Sequence, residues 1–204
     1  MKKAIYLKYL LIVITVLALN SQSTSYAQNL ESKIDSLLQE KYHPNTPGAT
    51  FLISRNGNII YKKAFGLANL ELNVPMEADN VFEIGSMTKQ FTAISILMLM
   101  EKGKLNLDDE ITKFIPDYPT NEHKITIHHL LTHTSGIKSY TSMKKLNKIS
   151  KQDLTPLELI DFFKNEPIDF VPGEKFKYNN SGYVILGYII EKVTGQPYAN
   201  FVEE

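Results

Sequence analysis

The sequence predicts a fold of the α/β class, α+β in type: a short antiparallel sheet flanked by helices, followed by a largely helical domain. Three observations carry that expectation. Two β-rich runs, Ala49 to Ser54 and Ile59 to Tyr61, flank Asn56-Gly57, a dipeptide that tolerates the positive φ of a type I′ hairpin turn. Apolar residues recur at helical spacing before the hairpin and in several segments after Ser86. With 43% hydrophobic and 22% charged residues in 204, the chain can bury a core.

Residues 1–27 read as a signal peptide rather than as part of the fold. Lys2, Lys3 and Lys8 form a positive start, and Leu10 to Leu19 is an apolar run too short to span a bilayer comfortably. Ser25 and Ala27 are small residues where a signal peptidase reads. The expected domain is then residues 28–204, exported to the periplasm or secreted, with membrane contact only through the leader. Taking those three lysines from the 22 basic residues leaves 19 against 22 acidic ones.

Within it, residues 28–82 hold a first helix and the first sheet strands. Leu30, Ile34, Leu37 and Leu38 give that helix one apolar face. Pro44 and Pro47-Gly48 break it. The hairpin follows, and residues 66–81 read as a loop with short edge pieces. Residues 83–204 are mostly helical. From Ser86 to about Lys102 the chain is apolar on nearly all sides, which predicts a buried helix ended by Gly103. A short element lies between Leu107 and Pro116. Thr126 caps a helix expected to run to His133, and residues 138–156, polar and Lys-rich, read as a surface excursion. Helices are expected over Leu157–Lys164 and Ser181–Thr194, the latter stopped by Gly195, and another begins at Tyr198.

Composition narrows the function. Lys+Arg and Asp+Glu both number 22, which argues against a nucleic-acid partner. The lack of cysteine removes disulfides, thiol catalysis, Cys-ligated zinc and a lipidated N-terminal Cys. There is no Gly-x-Ser-x-Gly elbow, P-loop or Gly-x-Gly-x-x-Gly.

Ser86-Met87-Thr88-Lys89 is a Ser-x-x-Lys. Residues three apart on a helix share a face, so an amine one turn on can reach the hydroxyl and, once desolvated, take its proton. A helix N-terminus beneath the Ser favours a developing oxyanion. The spacing alone is weak evidence: 13 Ser and 21 Lys predict roughly 1.3 such pairs by chance, and three occur. Ser135/Lys138 is interrupted by Gly136, and Ser142/Lys145 lies in a polar stretch; only Ser86 stands between a Gly85 turn and a long apolar helix. The structural alternative is a plain helix cap with an exposed Lys one turn on. Tyr178-Asn179-Asn180 precedes a helix on a loop able to face a cleft. A phenol there can relay protons, and a carboxamide can hold substrate and fix the Lys; the alternative is a half-buried Tyr beside an Asn cap. Tyr198-Ala199-Asn200 repeats the pattern. His129 and His133 have a spacing that suits zinc, but residue 130 is Leu and no third ligand is evident, so they read as structural.

Together the segments Phe82–Ala93, Gly103–Asp109, Ile125–Ile137 and Phe176–Tyr183 resemble, in order, the nucleophile, post-helix, helix-turn and Tyr-x-Asn blocks of the class C β-lactamase-like family. The hairpin and Gly66-Leu67-Ala68-Asn69 agree. The resemblance covers nearly all of residues 28–204. It implies a β-lactamase/transpeptidase-like fold and a serine hydrolase that forms an acyl-enzyme on an amide, ester or β-lactam. Ser86 would be the nucleophile, Lys89 and Tyr178 would share acid–base work, and Asn180 would orient a small-molecule or peptide substrate. No cofactor or metal is implied.

The family's later Lys/His-x-Gly strand has no counterpart here. Lys192-Val193-Thr194-Gly195 is not that motif. The chain reads as incomplete at its C-terminus, and weak or no activity is expected of it, since one oxyanion donor alone is worth about 10²–10³ in kcat. The competing expectation is a truncated, non-catalytic relative that binds muropeptide or β-lactam without turnover. A small exported protein with chance motifs is a third reading, which four ordered blocks disfavour.

Overall fold

The computed structural model describes residues 30–204. The predicted leader, residues 1–27, lies outside the described residues. The chain divides into two compact units between Glu83 and Ile84.

The first unit is a helix, α1 (residues 30–41), and two small ladders. Strands β1 (Ala49–Arg55) and β2 (Asn58–Phe65) pair antiparallel, Ala49 opposite Phe65, with a bulge at Ile53/Ser54. At the tip Asn56 and Gly57 have φ of 51° and 78°, the two positive values a type I′ turn requires. Strands β3 (Leu67–Asn69) and β4 (Val74–Pro75) form the second ladder. The Asp35 carboxylate joins helix to hairpin, accepting from Tyr61 Oη and Lys63 Nζ, each at 2.7 Å. The two ladders meet where Gly66 (φ 74°) crosses Gly48; a Cβ on Gly66 would lie 2.7 Å from the Gly48 Cα, so no other residue fits there.

The second unit is built around α5 (Asn180–Thr194), whose Ile185, Leu186, Ile189 and Ile190 are fully buried. Against it pack α2 (Thr88–Glu101), α3 (Ile127–Leu131), α4 (Pro156–Phe163) and α6 (Tyr198–Glu203). The ends are specified locally. Thr126 and Thr155 form capping boxes with His129 and Glu158, and Pro156 opens α4. Asn179 caps α5 by accepting from Gly182 N–H at 2.7 Å, and Gly195 (φ 75°) ends it. Between α2 and α3 the chain returns through the Glu110–Thr126 bridge, burying Leu105, Ile111, Ile115 and Ile125 in the same core. Among the described residues no helix is long and apolar enough to cross a membrane.

Three expectations change. Helix α2 is not buried all round: Thr92, Ser95, Ile96 and Leu99 face the core, whereas Phe91 and Ile94 are 44% and 54% exposed. Its inward stripe therefore includes two hydroxyl residues, one of which, Thr92 Oγ1, meets Tyr198 Oη at 2.7 Å. Helix α3 stops at Leu131, two residues short of His133, because His133 takes a left-handed φ of 59°. Residues 138–156 do not simply cross the surface. They contain two 3-10 turns, Tyr140–Ser142 and Lys144–Lys148, with Ser139 and Met143 buried.

Candidate active site

All four residues singled out by the sequence meet in the second unit. Ser86 lies in a 3-10 turn, Gly85–Met87, that leads straight into α2. Gly85 carries a φ of 54°, a turn conformation that glycine adopts without strain. Lys89, one turn on, donates from Nζ to Ser86 Oγ at 3.2 Å and to Asn180 Oδ1 at 2.7 Å. Tyr178, just before α5, donates its O–H to the same Ser86 Oγ at 2.6 Å. The Lys89 ammonium lies 4.8 Å from the centre of the Tyr178 ring and 5.5 Å from that of Tyr183. Lys89, first, and the bond to Ser86, second, hold the Tyr178 phenol below its ordinary value. Ser86 is exposed and Tyr178 is 46% exposed, so a substrate can reach both.

The segment read as a surface excursion supplies partners that sequence reasoning missed. Thr141 Oγ1 accepts from Asn180 Nδ2 at 2.9 Å, which leaves the carboxamide oxygen for Lys89. Ser139 Oγ accepts the Asn180 N–H at 3.2 Å, and Ser181 Oγ accepts from Tyr140 N–H while donating to Lys138 O. No periodic pattern announces such contacts, since Thr141 lies in a 3-10 turn and Ser139 in the extended residue before it.

His133 and Asp169 fasten the Tyr178 loop. The His133 carbonyl accepts from Lys177 N–H at 2.9 Å and its Nδ1 from Asn179 N–H at 3.2 Å. Burial, and after it the charge of Lys89, keep this imidazole below the ordinary histidine value. Asp169 bridges Lys138 and Lys177 at 2.8 and 2.6 Å. Burial alone would raise its carboxyl, but the two lysines hold it below its usual value. Asn179 Nδ2 donates to Ile137 O. Gly136 (φ 70°) allows the close crossing, for a Cβ there would fall 1.9 Å from Phe170 O.

The competing motifs are used otherwise. Ser135 is buried, its Oγ accepting from Ile137 N–H. Ser142 donates to Ser139 O, and Tyr198 pairs with Thr92. The Nδ1 atoms of His129 and His133 both accept main-chain N–H groups, from Thr126 and Asn179.

The arrangement can deliver a nucleophile: one hydroxyl, one amine able to take its proton and one phenol able to pass a proton on, with a carboxamide at the rim. The family model described as Beta-lactamase matches residues 30–204. A penicillin-binding protein of Bacillus subtilis (strain 168) is 34% identical over 178 residues, 86% of this chain and 39% of that protein. Esterase EstB of Burkholderia gladioli is 32% identical over 200 residues, 91% of this chain and 50% of the esterase. The octameric penicillin-binding protein homologue from Pyrococcus abyssi superposes with a TM-score of 0.70 at 38% identity, over 84% of this chain and 41% of that one. The chain thus spans half or less of the length of these relatives. With a match from residue 30 to residue 204 and relatives above 30% identity, the chain belongs to the β-lactamase family of serine hydrolases.

Proposed function

We propose that the protein is an exported serine hydrolase that opens an amide, ester or β-lactam carbonyl through an acyl-enzyme on Ser86. One observation carries the reading: Ser86 Oγ is within hydrogen-bonding reach of both Lys89 Nζ and Tyr178 Oη. In its neutral amine form Lys89 takes the Oγ proton as Oγ attacks the carbonyl carbon. Tyr178 gives its proton to the leaving nitrogen or oxygen, the tetrahedral intermediate collapses, and the proton on Lys89 returns to the phenolate. Water then attacks the Ser86 ester by the reverse relay and restores the hydroxyl. Asn180, its oxygen on Lys89, offers its amide edge to the substrate. The relatives, one a penicillin-binding protein and one an esterase, support the acyl-transfer class without choosing the acyl group.

The test is labelling of the full chain with a fluorescent penicillin and turnover of p-nitrophenyl esters. Peptide mapping is expected to place the acyl group on Ser86, with labelling abolished in Ser86→Ala and slowed in Lys89→Met. Labelling that survives Ser86→Ala would sink the proposal. Labelling without turnover would identify a binding protein instead.

Export is part of the proposal and rests on the Lys2/Lys3/Lys8 start and the Leu10–Leu19 run. N-terminal sequencing of the protein from fractionated cells is expected to read from Gln28 in the periplasm or medium. An intact Met1 in the cytosol would overturn it.

A further inference from the structure

We infer that His133 is a positioning residue for Tyr178, holding the phenol on Ser86 by gripping the loop on both sides of it and stacking on its ring. This deepens the proposed function and rests on the role that reading gives Tyr178.

The grip is specific in place. His133 accepts from residue 177 through its carbonyl and from residue 179 through Nδ1, so the one residue between, Tyr178, has its main chain clamped on either side. Its ring then lies against the Tyr178 ring, centroids 4.7 Å apart at 40°. The same ring also meets Tyr183 of α5 at 5.1 Å and 36°, and Phe176 edge-on at 5.9 Å. Tyr183 is itself fixed, donating its hydroxyl to Leu131 O at 3.1 Å. The phenol is thus braced through His133 against a helix whose core face is fully buried.

Two features show that a generic ring would not serve. A left-handed φ of 59° is uncommon for a residue with a Cβ and is held only where the surroundings impose it. Turning His133 out of the helical line aims both its carbonyl and its ring at one loop. An acceptor at Nδ1 also requires the neutral imidazole, since the protonated ring has only donors. Burial and the Lys89 charge, which disfavour protonation, act in the same direction.

Two variants separate the clamp from the stack. His133→Asn keeps a side-chain acceptor and tolerates the left-handed φ but loses the ring. His133→Phe keeps the ring and loses the acceptor. Each is measured in the full chain for β-lactam acylation rate and for affinity, alone and combined with Tyr178→Phe. We expect each single change to lower the acylation rate about 10²-fold, the scale of a 1 Å misplacement, with affinity unchanged. In the Tyr178→Phe background neither should lower it further. Additive losses, or losses confined to affinity, would overturn the assignment.

A second readout needs no activity. The Tyr178 phenol is titrated by phenolate absorbance, taken as the difference from Tyr178→Phe. It should ionise below an ordinary tyrosine in the parent and move up in both His133 variants as the ring leaves Lys89. An unmoved titration in both would refute the positioning role. Absent labelling by any substrate with a shifted titration would instead fault the proposed function and leave the positioning intact.

Discussion

Tyr178→Phe separates the chemistry of the site from its stability. The substitution deletes one hydroxyl and leaves the ring, so the contacts with His133 and Lys89 persist. What is lost is the 2.6 Å bond to Ser86 Oγ. A neutral hydrogen bond adds about 0.5–1.5 kcal/mol net to stability, and this one lies between two exposed residues, so the fold should lose well under ~1 kcal/mol. The reaction should lose far more. A positioned acid–base group supplies about 10²–10⁴ in rate, or roughly 3–5.5 kcal/mol of barrier. Single-turnover acylation by a β-lactam gives the rate and the affinity separately, and urea unfolding gives the stability. The expected result is a rate lower by at least two decades, an unchanged affinity and an unchanged urea midpoint. A rate within about threefold of the parent would refute the proton relay, because so small a change lies outside the range of a general acid. A parallel loss of stability would assign the hydroxyl to the fold instead.

Three further outcomes follow from the geometry. Gly136→Ala puts a Cβ 1.9 Å from a main-chain oxygen at a φ of 70°; loss of more than about 2 kcal/mol by urea unfolding is expected, and a neutral result would contradict the close crossing at Phe170. Gly187→Ala should stabilise by about 0.5–1 kcal/mol, since it lies inside α5 and its Cβ would meet only Tyr198 Cδ2 at 3.7 Å; a lower melting temperature would count against that space. His129 and His133 are both held below the ordinary value of 6.5, first by burial, then by His128 and Lys89 respectively. The unfolded chain therefore binds protons first, so stability is whole above pH 6.5 and falls as the pH drops through the lowered folded values. Urea midpoints from pH 8 to pH 5 should decline, less steeply in His133→Phe; an equal slope in that variant would remove His133 from the effect.

What the sequence discloses follows the reach of its signals. Caps and turns are local, so Thr126, Asn56-Gly57 and Gly195 announced their elements, whereas the Thr155 cap of α4 is seen only in the structure. The α2 stripe was not legible, because Thr92 and Ser95 face inward only where Tyr198 and α5 meet them, and apolar residues fill the outer face as well. The early stop of α3 depends on the left-handed His133, a conformation set by the loop it grips rather than by its neighbours in sequence. Lys-rich composition marked residues 138–156 as solvated, and most of their lysines are exposed. Thr141 reaches Asn180 from a 3-10 turn and Ser139 from the extended residue before it, contacts that leave no period to read.

The three Ser-x-x-Lys spacings show where catalytic identity resides. Each puts an amine three residues after a hydroxyl, yet only Ser86 has both an amine and a phenol on its oxygen. Ser135 is sealed in the core, and the amine three residues on, Lys138, pairs with Asp169. Lys145 pairs with Glu166 instead of Ser142. The partners that set Ser86 apart come from 92 and 91 positions away, Tyr178 on Ser86 and Asn180 on Lys89. Both sit at the start of α5, so the reacting distances depend on how α2 lies against α5. That packing runs through Thr92, Ser95, Ile96 and Leu99 on one helix and the buried isoleucines on the other. Because a 1 Å displacement costs about 10² in rate, core substitutions along this seam should damage acylation before they unfold the protein.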